Sequence, residues 1–164
     1  MAIQGIQRWG RGKEDRMSQL EKEIRQFLTD RGAIRVGFAN RHTMAGGPPS
    51  ADLNYVLPEA KSAISFALPL DREKIRATLA KKSHNAFEKN NIEVNINATA
   101  LSVELADWLT EKGYKAQGTM ANNHYRKEVS GWQVKMPPDI SHRYVAVRSG
   151  VGSFGWSGNV GIKG

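Results

Sequence analysis

The 164-residue chain carries 24 lysines and arginines against 16 acidic residues, a formal charge of +8, and 40% of its residues are hydrophobic. This composition is typical of one globular domain, and the positive charge favours anionic partners such as phosphorylated cofactors or nucleic acid. The chain has no cysteine, which excludes disulfides and any thiolate ligand of its own to an iron–sulfur cluster or to zinc. No apolar run approaches the roughly 20 residues of a membrane span, and no secretory signal is recognisable, so a cytoplasmic protein is expected.

The first predicted elements are a helix and a strand. Apolar residues recur at spacings of three and four between positions 17 and 28, so they form one stripe of a helix of about four turns. Gly32 follows where that helix would end. Ile34, Val36 and Phe38 then alternate with small or polar neighbours, which predicts a strand with one buried face.

A loop and a second strand come next. Residues 39–50 include two glycines followed by two prolines, a combination that is typical of a surface loop. Ile64, Phe66 and Leu68 alternate with alanine and serine, and this pattern predicts the strand. The small residues on its other face would let something pack close to it.

The second half of the sequence is predicted to be mainly helical at first and then irregular. Residues 71–113 favour helix, with one apolar face and a glycine stop, and residues 114–120 favour a short strand. Residues 121–139 show no periodicity. The run Tyr-Val-Ala-Val at 144–147 predicts a final strand that leads into a glycine-rich loop. Helices and strands in this order predict an α+β fold in a single domain.

The glycine-rich loop contains the spacing G-x-G-x-x-G at Gly150, Gly152 and Gly155. A dinucleotide site would need a helix after these glycines and an acidic residue about 20 positions further on, and the sequence shows neither. Two interpretations stay open. The glycines form a tight turn between two elements, or they bring backbone amides against a bulky cofactor, with Phe154 and Trp156 supplying flat apolar surface.

Three segments resemble one known family. Residues 142–155, HRYVAVRSGVGSFG, resemble the segment E-R-x-x-A-x-K-A-G-L-G-W-x-G-K-N of epoxyqueuosine reductases and their relatives, the reductive dehalogenases. Residues 35–39, RVGFA, resemble the early strand V-G-I-A of that family, and residues 57–64, LPEAKSAI, resemble L-P-x-A-K/R-S-V-I. The matches occur in the order of the family and cover most of the chain, and the glycine segment is the specific one.

The resemblance implies a nitroreductase-like α+β fold, a mixed sheet flanked by helices, that binds cobalamin. In the family this domain is followed by a ferredoxin-like domain with two 4Fe–4S clusters. Residues 1–164 would then be a single cobalamin-binding domain, either the N-terminal part of a longer protein or one subunit of a complex.

Departures from the family pattern bear on the chemistry. The family's aspartate, seven residues before the position of Arg143, is replaced here by Met136, and Asp139 is the nearest acid. The family's lysine after the third glycine is replaced by Trp156. Epoxyqueuosine reduction itself is therefore not expected, and the resemblance favours a divergent corrinoid or other redox branch.

The candidate site residues follow from the motif and from its neighbours. Asp139, Tyr125 and Tyr144 are the main candidate proton donors, with His124 and His142 as further candidates, although such tyrosines are more often core or surface residues. The four histidines show no metal-ligand spacing, so no metal site built by the protein is expected. The candidate cofactor-binding residues are Arg143, Ser149, Gly150, Gly152, Phe154, Gly155 and Trp156.

The expected function is that of an oxidoreductase module that holds cobalamin and receives electrons from 4Fe–4S clusters outside this chain. Its partners would be a ferredoxin-like electron donor and an anionic or tRNA-like substrate, with no membrane. Two alternatives remain: a non-catalytic corrinoid or flavin carrier or regulatory subunit, and a basic nucleic-acid-binding module, in which lysine and arginine neutralise phosphates.

Overall fold

The computed structural model describes the backbone of residues 2–4, 11–83, 85–120 and 140–162, and the side chains from residue 19 onward within these ranges. The α+β class predicted from the sequence is confirmed, because helices and two small sheets both contribute. The strands are β1 (Ala2–Gln4), β2 (Arg35–Asn40), β3 (Ala60–Ala67), β4 (Ala116–Gln117), β5 (Ser153–Phe154) and β6 (Val160–Gly161). The α-helices are α1 (Arg11–Thr29), α2 (Arg72–Leu79), α3 (Ala86–Glu111) and α4 (His142–Arg148). Two short 3-10 helices, Pro49–Ala51 and Leu53–Tyr55, precede β3.

The main sheet has the strand order β2-β3-β1-β4, and every neighbouring pair is antiparallel. Strand β1 was not predicted from the sequence, yet it lies between β3 and β4. Strands β5 and β6 form a separate hairpin. No helix in the described ranges is both long enough and apolar enough to cross a membrane.

One face of the main sheet is covered by α1 and α3. Ile24 and Leu28 of α1, and Leu105 and Leu109 of α3, are the largest fully buried side chains among the described residues. They belong to one cluster, into which the strands contribute Val36, Phe38, Ile64 and Phe66. Burying a side chain of this kind contributes about 1.5–3 kcal/mol, so this cluster supplies much of the stability. The predicted first helix is thus confirmed, as is the alternation of Val36 with Phe38 and of Ile64 with Phe66. Ile34, which was predicted to share the buried face, precedes β2 and is 53% exposed.

The opposite face of the sheet is lined by small residues. Ala39 and Ala63 are sequence neighbours of Phe38 and Ile64 and therefore point the other way, into a second cluster that includes Val145 of α4. Gly37 lies on the same face, where an added Cβ would overlap the carbonyl oxygen of Ser149. Close packing on the small-residue face is therefore confirmed, and its occupant is α4 with the turn that follows it.

Residues 144–147 are helical, so the prediction of a final strand was wrong. A short apolar run is compatible with either a buried strand or a helix. The deciding feature is Gly150, whose φ is +77° and whose N–H donates to the Val147 carbonyl at 3.1 Å. The N–H of Val151 donates to the Ala146 carbonyl at 2.9 Å, which completes a Schellman helix end.

The predicted helix over 71–113 is divided into α2 and α3. Helix α2 begins at the N-cap Asp71, whose carboxylate accepts hydrogen bonds from the N–H groups of Glu73 and Lys74. It ends before Lys81, which has a φ of +57°. The predicted strand over 114–120 is shorter in the structure, because only Ala116–Gln117 pairs with β1.

Candidate functional site

A cleft of about 270 Å³ opens between β3, α3, α4 and the β5–β6 hairpin. Most of its lining is apolar, with Ile64 and Phe66 from β3, Ala98 from α3 and Val145 from α4. A few polar groups complete the lining, as is typical of sites for small organic ligands. These polar residues are Ser65, Ser102, Thr119, His142 and Arg143.

The cleft exists because β3 continues beyond its pairing with β1. The β1 pairing reaches Ala63, whereas β2 accompanies β3 as far as Ala67. The far wall is fixed by the contact of residues 118–119 with α3. The Ser102 hydroxyl donates to the Thr119 carbonyl at 2.7 Å, and an added Cβ at Gly118 would lie 2.8 Å from the Ser102 carbonyl oxygen.

Arg143 joins α4 to the hairpin on another side of the cleft. Its Nη1 donates to the carbonyl of Gly158, in the turn between β5 and β6, at 3.1 Å. Gly158 has a φ of +75°, which glycine adopts without strain. The structure therefore places a guanidinium cation at the cleft and against the turn of the glycine-rich hairpin.

The motif glycines serve the geometry of the chain itself. Gly150 ends α4, and an added Cβ at Gly152 would lie only 2.6 Å from both the Gly161 carbonyl oxygen and a Val160 methyl group. The Gly155 N–H donates to the Asn159 carbonyl at 2.7 Å and closes the hairpin. The backbone at these three glycines thus forms tight turns, which is one of the two interpretations of the motif. A ligand at this segment would meet side chains rather than these amide hydrogens.

Two aromatic side chains on the hairpin are available to a ligand. Phe154 is opposite Val160 in the antiparallel ladder, so the two side chains share a face, and Val160 lines the cleft. The Phe154 side chain is half exposed, and Trp156, in the turn, is fully exposed. Large exposed aromatic residues next to a concave site favour contact with a partner or with a flat ligand.

Tyr144 and Ser149 lie away from the cleft lining. Tyr144 packs over Gly47, and its hydroxyl accepts a hydrogen bond from Arg148 Nε at 3.0 Å. Arg148 Nη2 also donates to the carbonyl of Ala45 at 3.0 Å, so this pair fastens the 39–50 loop to α4. The Ser149 hydroxyl donates to the Ala146 carbonyl at 3.1 Å, at the C-terminal end of α4. Three other candidate proton donors, Asp139, Tyr125 and His124, lie outside the described residues.

The sequence interpretation missed the β3 and α3 contributions to the cleft. Ser102 offered the clearest signal, because it is a buried serine between the buried residues Leu101 and Leu105 of α3. A polar residue in an apolar helical stripe requires a hydrogen-bond partner, and here the partner is the Thr119 carbonyl.

Among the described residues, two carboxylates have a clearly lowered pKa, and in both the cause is a hydrogen bond that stabilises the fold. Lys112 and Gln19 donate to Glu23 and lower the pKa of its carboxyl. The backbone N–H groups of Lys74 and Glu73 lower the pKa of Asp71. Neither carboxylate lines the cleft. Among the described residues, no cluster of three or more histidines and carboxylates could hold a metal ion.

The comparisons with known proteins give no match: no protein-family model, curated protein or solved structure is significantly similar to the chain.

Proposed function

We propose that this chain binds a flat redox cofactor in the cleft and acts as the cofactor-binding part of a reductase similar to the epoxyqueuosine reductases and reductive dehalogenases. The observation that carries the proposal is that Arg143 and the glycine hairpin, the segment of strongest resemblance, form one side of an apolar cleft. The proposal includes a nitroreductase-like arrangement of the α+β fold.

The size of the cleft bears on the identity of the cofactor. Its volume of about 270 Å³ lies just below the ~300–1,000 Å³ usual for small-molecule sites. A three-ring flavin system or one edge of a corrin matches that volume. The remainder of a cobalamin would extend over Phe154 and Trp156, both of which are exposed. Cobalamin is the cofactor that the resemblance favours, and flavin is the second candidate because of this volume.

Arg143 fits either cofactor. Flavin mononucleotide and cobalamin both carry a phosphate group, and a guanidinium recognises phosphate with charge-assisted hydrogen bonds. The Arg143 side chain keeps donors in addition to the Nη1 hydrogen that it gives to Gly158, because a guanidinium has five N–H groups. It would therefore anchor the anionic part of the cofactor while the apolar lining holds the ring.

The residues of the chain would orient the cofactor and supply a proton. When bound, the cofactor supplies the electron chemistry, and the protein supplies orientation and exclusion of water. His142 is the described cleft residue of a type that exchanges protons near neutral pH. Because the chain has no cysteine, electrons from 4Fe–4S clusters would have to come from a ferredoxin-like domain or protein.

A binding experiment with a cleft-filling variant tests the proposal. Equilibrium dialysis with cyanocobalamin and with flavin mononucleotide should show saturable binding of one of them. Ala98→Leu should weaken this binding about tenfold or more, because overpacking a site costs about 1–3 kcal/mol. Ala80→Leu is the matched control, since it adds the same side chain at an exposed position on α2's C-terminal end. Absence of binding to both cofactors, or equal binding by the two variants, would overturn the proposal.

Two further measurements separate the alternatives. Reduction of the bound cofactor by a reduced ferredoxin would support an enzyme, whereas binding without reduction would support a carrier or regulatory subunit. Salt-sensitive binding of a short RNA, with no binding of either cofactor, would instead favour the nucleic-acid-binding alternative.

A further inference from the structure

The outward side of α3 presents an apolar stripe. Ile92, Ile96 and Val103 have exposed fractions of 52%, 63% and 48%, and Ala100 is exposed between the last two. At 100° per residue these four positions fall within one quarter of the helix circumference. The opposite side of α3 carries the buried leucines of the main cluster. Several large apolar side chains on one exposed helical face are typical of a contact surface.

Charged residues of opposite sign border this stripe at its two ends. Lys89 lies on the N-terminal side and Asp107 on the C-terminal side, and both side chains are exposed. They are about five helical turns apart, so they lie on the same side of α3 as the stripe. Within the described part of the chain, neither side chain forms an ion pair. Glu104, by contrast, is paired with Arg31 at 2.8 Å.

We propose that this α3 outer face (Lys89, Ile92, Ile96, Ala100, Val103 and Asp107) is the contact of an antiparallel homodimer. A two-fold axis that crosses the contact at the level of Ala98 along α3 would place Lys89 opposite the partner's Asp107, and Asp107 opposite the partner's Lys89. The same axis places Ile96 opposite the partner's Ala100, and brings Ile92 within one residue of the position opposite the partner's Val103. The surface is thus self-complementary in charge and in side-chain size, as a two-fold contact requires.

The charge pattern selects the direction of the two helices. In a parallel pair, Lys89 would face the partner's Lys89 and Asp107 the partner's Asp107, and like charges at short distance repel. The antiparallel pair replaces both repulsions with attractions. Ala100 would give Ile96 room at the centre, so the two helices could approach closely. Helix α3 has 26 residues and is about 39 Å long, which is sufficient for five turns of contact.

Sedimentation velocity tests the dimer. The full chain is measured without cofactor over about a hundredfold range of concentration, because the dimer fraction should rise with concentration by mass action. Lys89→Asp and Asp107→Lys, each alone, should raise the dimer dissociation constant about tenfold, since each creates two like-charge contacts per dimer. The double exchange Lys89→Asp/Asp107→Lys should restore nearly the original constant. Ile96→Asp should give monomers, whereas Tyr55→Asp, an equally exposed position outside α3, should leave the dimer intact.

The proposal is overturned by a wild-type chain that stays monomeric over the whole range, by a dimer that survives Ile96→Asp, or by a double exchange that fails to restore association. Because Ile96 is exposed, the Ile96→Asp variant should keep its far-UV circular dichroism spectrum and unfold cooperatively. The dimer is measured without cofactor, so its absence would not bear on the function proposed for the cleft.

Discussion

The two faces of the main sheet differ in what covers them. On one face, α1 and α3 bury leucine, isoleucine and phenylalanine side chains against Val36 and Phe38. On the other, α4 and the turn after it approach so closely that Gly37 has no room for a methyl group. The first face obtains stability from buried apolar volume. The second uses small residues to bring backbone segments together, and the cleft lies beside these segments. Substitutions on the two faces should therefore differ in their effect on stability.

The largest effect is expected on the face of large side chains. Leu105→Ala should lower the free energy of unfolding by about 2–5 kcal/mol, because Leu105 is fully buried and its truncation leaves a cavity. Urea denaturation gives this value directly. Leu79→Ala is the control, since that side chain is 78% exposed and should change stability by less than about 0.5 kcal/mol. Equal effects of the two substitutions would contradict the assignment of the core.

A smaller but clear loss is expected on the face of small residues. Gly37→Ala should destabilise the chain by about 1–3 kcal/mol, because its Cβ would meet the Ser149 carbonyl, a backbone group that moves only with α4. Gly155→Ala is the matched control: its Cβ would be 3.4 Å from the Asn159 carbonyl oxygen, an ordinary contact. Chemical denaturation of both variants makes the comparison. If Gly155→Ala stays folded but loses cofactor binding, this third motif glycine has a ligand role that the geometry does not require.

A still smaller change is expected where the 39–50 loop is fastened to α4. Tyr144→Phe removes the oxygen that accepts a hydrogen bond from Arg148, and should cost about 0.5–1.5 kcal/mol in thermal or urea unfolding. Cofactor affinity and reduction should be unchanged, because Tyr144 does not line the cleft. Loss of reduction with normal stability would instead support the prediction of Tyr144 as proton donor.

The smallest effect is expected on the pH dependence of stability. The pKa of Asp71 is lowered in the folded chain, mainly by the N–H groups of Lys74 and Glu73. Because the pKa is lowered in the folded chain, the carboxylate stabilises the fold at pH values above the ordinary aspartate pKa of 3.8. This contribution disappears as the pH falls through the folded pKa. Asp71→Asn keeps a capping oxygen without the charge. The melting temperatures of the variant and the wild type should therefore differ near neutral pH and converge in strong acid. A difference that grows in acid would contradict the downward direction of the pKa shift.

Local sequence patterns predicted the elements that have a clear period. The apolar spacing of α1 and the alternation along β2 and β3 are each long enough to define a buried face. Strand β1 has only three residues, Ala2–Gln4, and its central place depends on pairing with β3 and β4, which no local pattern encodes. The run at 144–147 fitted a strand or a helix equally well, and the helix end at Gly150 decided between them.

The candidate site was predictable only in part, for a related reason. Arg143, Phe154 and Trp156 come from one short stretch of the sequence: Arg143 lies in the segment that resembles the family, and the two aromatic residues were selected for their flat apolar surface. Ser102 and Thr119 lie on other elements, and only the folded chain brings them to the same cleft. The motif glycines were located correctly, but the sequence could not distinguish amides that face a ligand from amides that close turns.

The most direct test of the cleft uses the absence of cysteine from the chain. Ala98→Cys places a single thiol in the cleft, and Ala80→Cys places one on the exposed end of α2. The rate of alkylation by iodoacetamide is then measured with and without saturating cyanocobalamin or flavin mononucleotide. We expect the bound cofactor to slow alkylation of the Ala98→Cys variant strongly and to leave the alkylation rate of the Ala80→Cys variant unchanged. A cofactor that binds without protecting the thiol in the cleft would contradict it.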